Sequence, residues 1–168
     1  MSFHEVKPEE LQINPFTTIG SDWLLVTAGN EEKCNTMTAS WGGMGVLWRK
    51  NVVTIYIRPQ RYTKEFIDKN ERFTLSVLGN EYRNALNICG SRSGRDVDKF
   101  QEAHITPYFL DGTTAVEEAD MIFVCRKMYH QWMDQECFDD KDADKLCYPD
   151  KDYHMVYVAE IEKVLVRE

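Results

Sequence analysis

The sequence predicts a mainly β fold, an antiparallel barrel or closed sheet with short helices at its ends. Three observations carry this. Runs rich in β-branched or alternating residues outnumber helical patterns, the helical patterns are only a few turns long, and no internal repeat or low-complexity linker divides residues 1–168, which read as a single domain.

In chain order, residues 1–20 read as an extended lead-in, with Pro8 and Pro15 blocking regular structure. Trp23–Thr27 (WLLVT) is a short apolar run bounded by turn residues, as in a strand buried on both sides. After the turn Gly29-Asn30-Glu31-Glu32, Asn35–Trp41 (NTMTASW) alternates small polar and apolar groups and is expected to pair with the first strand as a hairpin. Gly42, Gly43 and Gly45 read as a flexible turn before Val52–Ile57 (VVTIYI), the clearest strand signal in the chain. Thr63–Asn70 is a predicted helix of about two turns, and Phe73–Leu78 (FTLSVL) alternates as a strand. Glu81–Ile88 has helical spacing and stops at Gly90. Ser91–Arg95 is turn-forming, and Asp96 is the expected N-cap of a helix over Val97–Ala103. Met121–Met128 and Met155–Val166 read as long strands.

Composition excludes several function classes. The 168 residues suit one globular domain, with 43% hydrophobic and 12% aromatic residues. The net charge of −8 argues against nucleic acid, whose phosphates call for a basic surface. No apolar run approaches the roughly 20 residues that span a bilayer, so no membrane association is expected. The opening MSFHEVKPEELQINPF lacks the basic and apolar regions of a secretory signal. Five cysteines, an odd number without C-x-x-C spacing, argue against a disulfide framework or zinc site and favour a reducing cytoplasm.

Common catalytic templates are missing: no G-x-S-x-G elbow, P-loop, G-x-G-x-x-G or H-E-x-x-H occurs. The acidic insert Asp134–Asp152 begins like an EF-hand at Asp140, Asp142 and Asp144. It fails at Lys145, where glycine is needed, and at Lys151, where a bidentate glutamate is needed. It reads as a solvated surface loop that could cap a cavity or a partner subunit and shape substrate access, with nothing in it that indicates chemistry, and no metal is expected. Of four scattered histidines, His154 alone stands at the head of a predicted strand where a pocket can form; an ordinary strand-end histidine fits the position equally well.

One segment runs against the chain's acidic balance. Lys33–Lys64 holds six Lys or Arg and no Asp or Glu, leaving 14 basic against 28 acidic residues in the remaining 136. Arg58, Arg61 and Lys64 crowd into seven residues just before a predicted helix start. Guanidinium groups and the free N–H groups of a helix start together suit a compact anion such as phosphate. Thr36, Thr38 and Ser40, then Tyr62 and Thr63, then Ser91 and Ser93 add small polar groups nearby. That mixture suits a planar polar heterocycle on a phosphorylated tail, with Trp41, Trp48 and Tyr62 available to stack or to pack in the core.

The segments NTMTASWGGMGVLW, VVTIYIRPQRYTKEFIDKN, FTLSVL and CGSRSGRDVDKF, in that order, resemble the flavin reductase-like family of FMN-binding split barrels, including the flavoredoxin type. DYHMVYVAEIEKV is similar to that family's last strand, departing from it at Ala159, where the family usually has glycine. The resemblance, from about Asn35 to the C-terminus, implies a six-stranded antiparallel split β-barrel and a homodimer with FMN near the subunit interface. By position, Thr38, Ala39, Ser40 and Trp41 would lie along the flavin ring; Arg58, Arg61, Tyr62 and Thr63 would take the phosphate and ribityl chain; Cys89, Gly90, Ser91 and Ser93 would close the far side, with Lys99 adding a cation. It also implies NADH or NADPH as hydride donor, His154 orienting the nicotinamide or donating a proton, and small-molecule substrates. The alternative implied is an electron-transfer flavoprotein serving an electron-acceptor protein, with the acidic insert as docking surface.

Overall fold

The computed structural model describes residues 2–168. Elements follow in order as β1 (Phe3–Val6), α1 (Pro15–Thr17), β2 (Leu24–Gly29), β3 (Cys34–Ala39), β4 (Gly42–Leu47), β5 (Lys50–Ile57), α2 (Tyr62–Lys69) and β6 (Arg72–Val77). Then come α3 (Arg83–Ser91), α4 (Lys99–Ala103), β7 (Pro107–Leu110), β8 (Thr113–Val116), β9 (Met121–Trp132), α5 (Lys141–Cys147) and β10 (Met155–Arg167). Eight strands form one antiparallel sheet in the order β3-β2-β6-β9-β10-β5-β4, with β1 added to β10, and β7 pairs β8 in a separate hairpin. The mainly β class with short helices holds; the strand count exceeds the six expected. No helix among the described residues is long and apolar enough to cross a membrane.

The sheet's alternation feeds two cores. On β2, Leu24, Val26 and Ala28 join a cluster with Ile55, Ile57, Phe73, Phe123 and Tyr157 inside the sheet's curve. Leu25 points the other way, into a cluster with Leu86, Cys89, Phe100 and Ile122 beneath α3 and α4. Every residue of β2 is therefore buried, as the unbroken WLLVT run implied, and β3 pairs with it in the expected hairpin. Each fully buried Leu, Ile or Phe contributes about 1.5–3 kcal/mol, so these faces fix the register of the whole sheet.

Several expectations are corrected. The lead-in is not featureless: β1 docks on β10, and both prolines open helical turns, where their missing N–H is harmless. Helix α3 runs through Gly90 to Ser91. Asp98, not Asp96, caps α4, accepting from the N–H groups of Phe100 and Gln101. The β7–β8 hairpin lies in a stretch with no strand assigned from the sequence.

The glycines of Gly42–Gly45 form a strand rather than a turn, pairing with β5 from Gly42 opposite Ile55 to Leu47 opposite Lys50. A Cβ on Gly42 would come 2.8 Å from the Thr54 carbonyl oxygen, whereas Gly45 faces open space. Gly42→Ala is therefore expected to lower unfolding free energy by about 1–3 kcal/mol, and Gly45→Ala to leave it unchanged or raise it by about 0.5 kcal/mol. Urea denaturation of both variants checks this; equal effects would contradict the close approach.

Candidate functional site

Four elements converge on one pocket. The end of β3 and the link to β4 supply Met37, Thr38, Ala39, Ser40 and Trp41. The end of β5 supplies Tyr56 and Arg58, the residue before α2 supplies Arg61, and the residue before β10 supplies His154, around a cavity of ≈ 270 Å³. Period-two geometry explains the selection on β5, where Tyr56 and Arg58 share a face while Ile55 and Ile57 point into the core. Pairing of Met155 with Ile57 then carries His154 to the level of Arg58. Strand β3 is fixed to α3 by the Thr38 hydroxyl, which donates to the Leu86 carbonyl at 2.5 Å. A Cβ on Gly90 would lie 3.3 Å from that of Thr38, so the helix approaches the strand closely where glycine stands.

The cations divide into two kinds. Lys50, Arg58 and Lys64 pair with Glu160, Asp152 and Asp68, so part of the acid-free segment's charge is neutralised from elsewhere in the chain. Arg61 and Lys99 have no carboxylate within ion-pair distance among the described residues. Arg61 donates to the carbonyls of Gly90 at 2.7 Å and Cys89 at 3.3 Å. Lys99, 4% exposed, donates to Cys89 O at 2.8 Å and Thr36 O at 2.9 Å. Both cations therefore meet at one carbonyl near the C-terminal end of α3. That helix end carries about −0.5 of a charge, against two full positive charges. Burial first, then the Arg61 charge, pull the Lys99 ammonium from 10.5 down to about 8. Burial likewise lowers Arg61 and raises the Cys89 thiol to about 11, so Cys89 is an inert thiol whose carbonyl matters.

His154 is held differently. Its Nδ1 lies 2.6 Å from the hydroxyl of Tyr148, and its ring stands 5.4 Å from that of Trp41. Burial, with the Arg58 charge second, lowers its pKa to about 4, so the imidazole is neutral near pH 7. Tyr148 belongs to the acidic insert, which is more ordered than a solvated loop and, as the capping alternative allowed, lines a cavity. It folds into α5, stacks Phe138, Tyr148 and Tyr153, and buries Tyr148 at 4% exposure. Asp152 of the same insert accepts from Arg58 at 2.7 Å and from Gln60 at 2.8 Å, and the Cys147 carbonyl takes the second guanidinium nitrogen. No cluster of potential metal ligands occurs among the described residues.

The remaining sequence candidates lie elsewhere. Tyr62 and Lys99 line a different groove, of ≈ 660 Å³, with Gly94 and Arg95. Thr63 is fully buried and receives the Asn35 amide at 2.8 Å. The Ser91 hydroxyl donates to Asn87 O, and Ser93 receives the Arg95 N–H, so both cap turns. Sequence reasoning missed Tyr56, which the alternation through Arg58 marks, and Tyr148 and Asp152, which no local pattern marks because the insert's docking brings them in.

The profile described as flavin reductase like domain matches residues 16–168. No curated protein matches the chain. Among solved structures, an FMN-binding domain of a flavin reductases-like enzyme from Shewanella baltica superposes with a TM-score of 0.69 at 14% identity, covering 98% of this chain and 77% of that one. Flavoredoxin of Desulfovibrio vulgaris gives 0.69 at 19% identity, over 98% and 78%. Flavoredoxin from Methanosarcina acetivorans gives 0.68 at 19%, over 95% and 76%. These likenesses establish a shared split-barrel fold, and with the profile spanning nearly the whole sequence, the chain belongs to the flavin reductase-like domain family.

Proposed function

We propose that the protein is an FMN-binding oxidoreductase that takes hydride from NADH or NADPH. The observation that carries the FMN reading is the pair Arg61 and Lys99, one half-buried and one buried cation on one carbonyl with no carboxylate within ion-pair distance among the described residues. A phosphate supplies the missing negative charge. The residues fit the rest of the cofactor too: Thr38, Ala39, Ser40 and Trp41 line the pocket together, and Arg61 borders it. The matched family and its FMN-binding structural relatives support the same assignment.

FMN, when bound, supplies two-electron redox chemistry. The chain's part is to bind and orient. Arg61 and Lys99 would hold the phosphate by charge-assisted hydrogen bonds. The Ser40 hydroxyl and the backbone of Thr38–Trp41 would take the polar groups of the flavin. His154, neutral and engaged at Nδ1, keeps Nε2 for the nicotinamide or for a proton. Tyr62, Thr63, Gly90, Ser91 and Ser93 serve by shaping the Arg61 and Lys99 surroundings. Arg58, paired with Asp152, contributes less to phosphate than its position suggests. The same reading makes the protein a homodimer with FMN near the subunit interface. Exposed Trp41, Val46 and Trp48 on and around edge strand β4 favour such an interface.

A second reading, an electron-transfer flavoprotein with a protein acceptor, is favoured by the exposed acids Asp134, Glu136, Asp139, Asp140 and Asp142 on the insert. Steady-state NADH oxidation with added FMN separates the two, being rapid for the reductase and slow for the carrier.

Arg61→Met and Lys99→Met are each expected to weaken FMN binding about 10- to 100-fold, one charged hydrogen bond to phosphate being worth about 1.5–3 kcal/mol. Flavin fluorescence quenching measures this, and unchanged affinity in both variants would remove the phosphate site. Lys99 also sets a pH dependence. Its folded pKa lies below its ordinary value, so its burial costs stability at neutral pH and that cost is relieved as pH rises from about 8 towards 10.5. Phosphate favours the charged form, so FMN affinity is expected to fall above about pH 8, by at most about tenfold per pH unit. Lys99→Met should flatten that fall; an equally steep profile in the variant would contradict the assignment.

A further inference from the structure

The acidic insert meets His154 through one hydroxyl. That of Tyr148 lies 2.6 Å from His154 Nδ1 and 3.2 Å from the Met133 sulfur, with a single proton for the two neighbours. An imidazole nitrogen is a strong acceptor and a thioether a weak one, so the proton goes to the imidazole. The Arg58 guanidinium, 5.0 Å from the Tyr148 ring centroid, draws charge from the phenol and strengthens it as a donor. With Nδ1 accepting, the one proton of the neutral ring sits on Nε2.

Packing keeps the ring from reversing this by turning over. His154 is 6% exposed and stands among the rings of Trp41 and Tyr148, each at 5.4 Å, and Tyr56 at 6.4 Å. Its carbonyl accepts the Met133 N–H at 2.9 Å, which ties the head of β10 to the residue just past β9. Tyr148 itself is held by Phe138 and Tyr153. His154 lines the pocket and Tyr148 does not, so Nδ1 faces the insert and the opposite edge of the ring faces the cavity. No described residue hydrogen-bonds to Nε2.

We propose that Tyr148 is a positioning residue that fixes His154 as a neutral Nε2–H donor, aimed at the carboxamide oxygen of the nicotinamide. A nicotinamide offers one acceptor, that oxygen, and one donor, its NH2; a ring nitrogen that only donates pairs with the first and rejects the second. The naming of the oxygen rests on the reductase reading, whereas the tautomer needs no ligand. A neutral imidazole N–H is too weak an acid to give up its proton near pH 7, so of the two uses open to Nε2 the hydrogen bond is the one that remains. The charges around the ring agree. Burial first, then Arg58, oppose a second proton on it, and Asp152, which favours one, is already taken by Arg58 at 2.7 Å. A donor set in advance binds better than one drawn from two tautomers, because no part of the population is unfit.

The test reads the tautomer directly. Proton–nitrogen correlation NMR of the histidine-labelled protein without FMN is expected to show His154 protonated at Nε2 alone near pH 7. Tyr148→Phe removes the hydroxyl and should give a mixture of tautomers. Met133→Leu removes the sulfur at similar volume and should leave the tautomer as it was. A proton on Nδ1 in the unaltered protein, a changed tautomer in Met133→Leu, or an unchanged one in Tyr148→Phe would each overturn the proposal. In the FMN-loaded protein, Tyr148→Phe is expected to raise KM for NADH about two- to tenfold and to add nothing further in a His154→Leu background. An equal rise in both backgrounds would make Tyr148 a packing residue only and would also overturn it. Absence of NADH oxidation in the unaltered protein would overturn the reductase reading and the named oxygen with it, while the spectra of the free protein decide the tautomer separately.

Discussion

The site depends on one electrostatic constraint: two cations, the half-buried Arg61 and the buried Lys99, both donate to the carbonyl of Cys89. Each arrives from a different part of the chain, Arg61 from the residue before α2 and Lys99 from the first turn of α4. Their meeting point is the last turn of α3, whose free carbonyls and negative dipole end accept cations. Half a unit of negative charge does not balance two positive ones; burial first, and the Arg61 charge second, hold the Lys99 ammonium below its ordinary pKa. The close packing of α3 on β3, through Thr38 and Gly90, keeps the carbonyl in place. On the proposed reading, that cost in the free protein is what an anion of the right size would relieve.

The acidic insert forms the opposite wall and changes what two familiar positions do. Arg58 is recruited by Asp152 and the Cys147 carbonyl, so it anchors the insert to the barrel as much as it faces the pocket. His154 is buried, neutral and aligned by Tyr148, which turns a strand-end histidine into a fixed group. The insert therefore positions one cation, Arg58, and one imidazole, His154, beside the pocket.

Much of this was legible in the sequence where physics is local. The buried β2, the β2–β3 hairpin, β5, α2, β6, β9 and β10 follow from periodicity and β-branching, within a few residues at their ends. The cluster of Arg58 and Arg61 was visible as charge without acid. Gly42–Gly45 misled because glycine signals a turn by its own preference, whereas here the pairing with β5 and the narrow gap to Thr54 O decide the conformation. Which cations stay unpaired was not legible, since Asp152, Asp68 and Glu160 reach their partners only through the fold. The same holds for Tyr148. The resemblance to flavin reductase-like proteins supplied Lys99, which no local signal singled out.

The most direct measurement compares the affinities of FMN and riboflavin for the protein by equilibrium titration. The two share the isoalloxazine ring and ribityl chain and differ in the phosphate alone. If Arg61 and Lys99 are the anchor, FMN binds about a hundredfold more tightly or better, the sum of two charge-assisted hydrogen bonds at the lower end of their range. Riboflavin binding as tightly as FMN would mean that Arg61 and Lys99 serve only the end of α3, and the account of the site would fail.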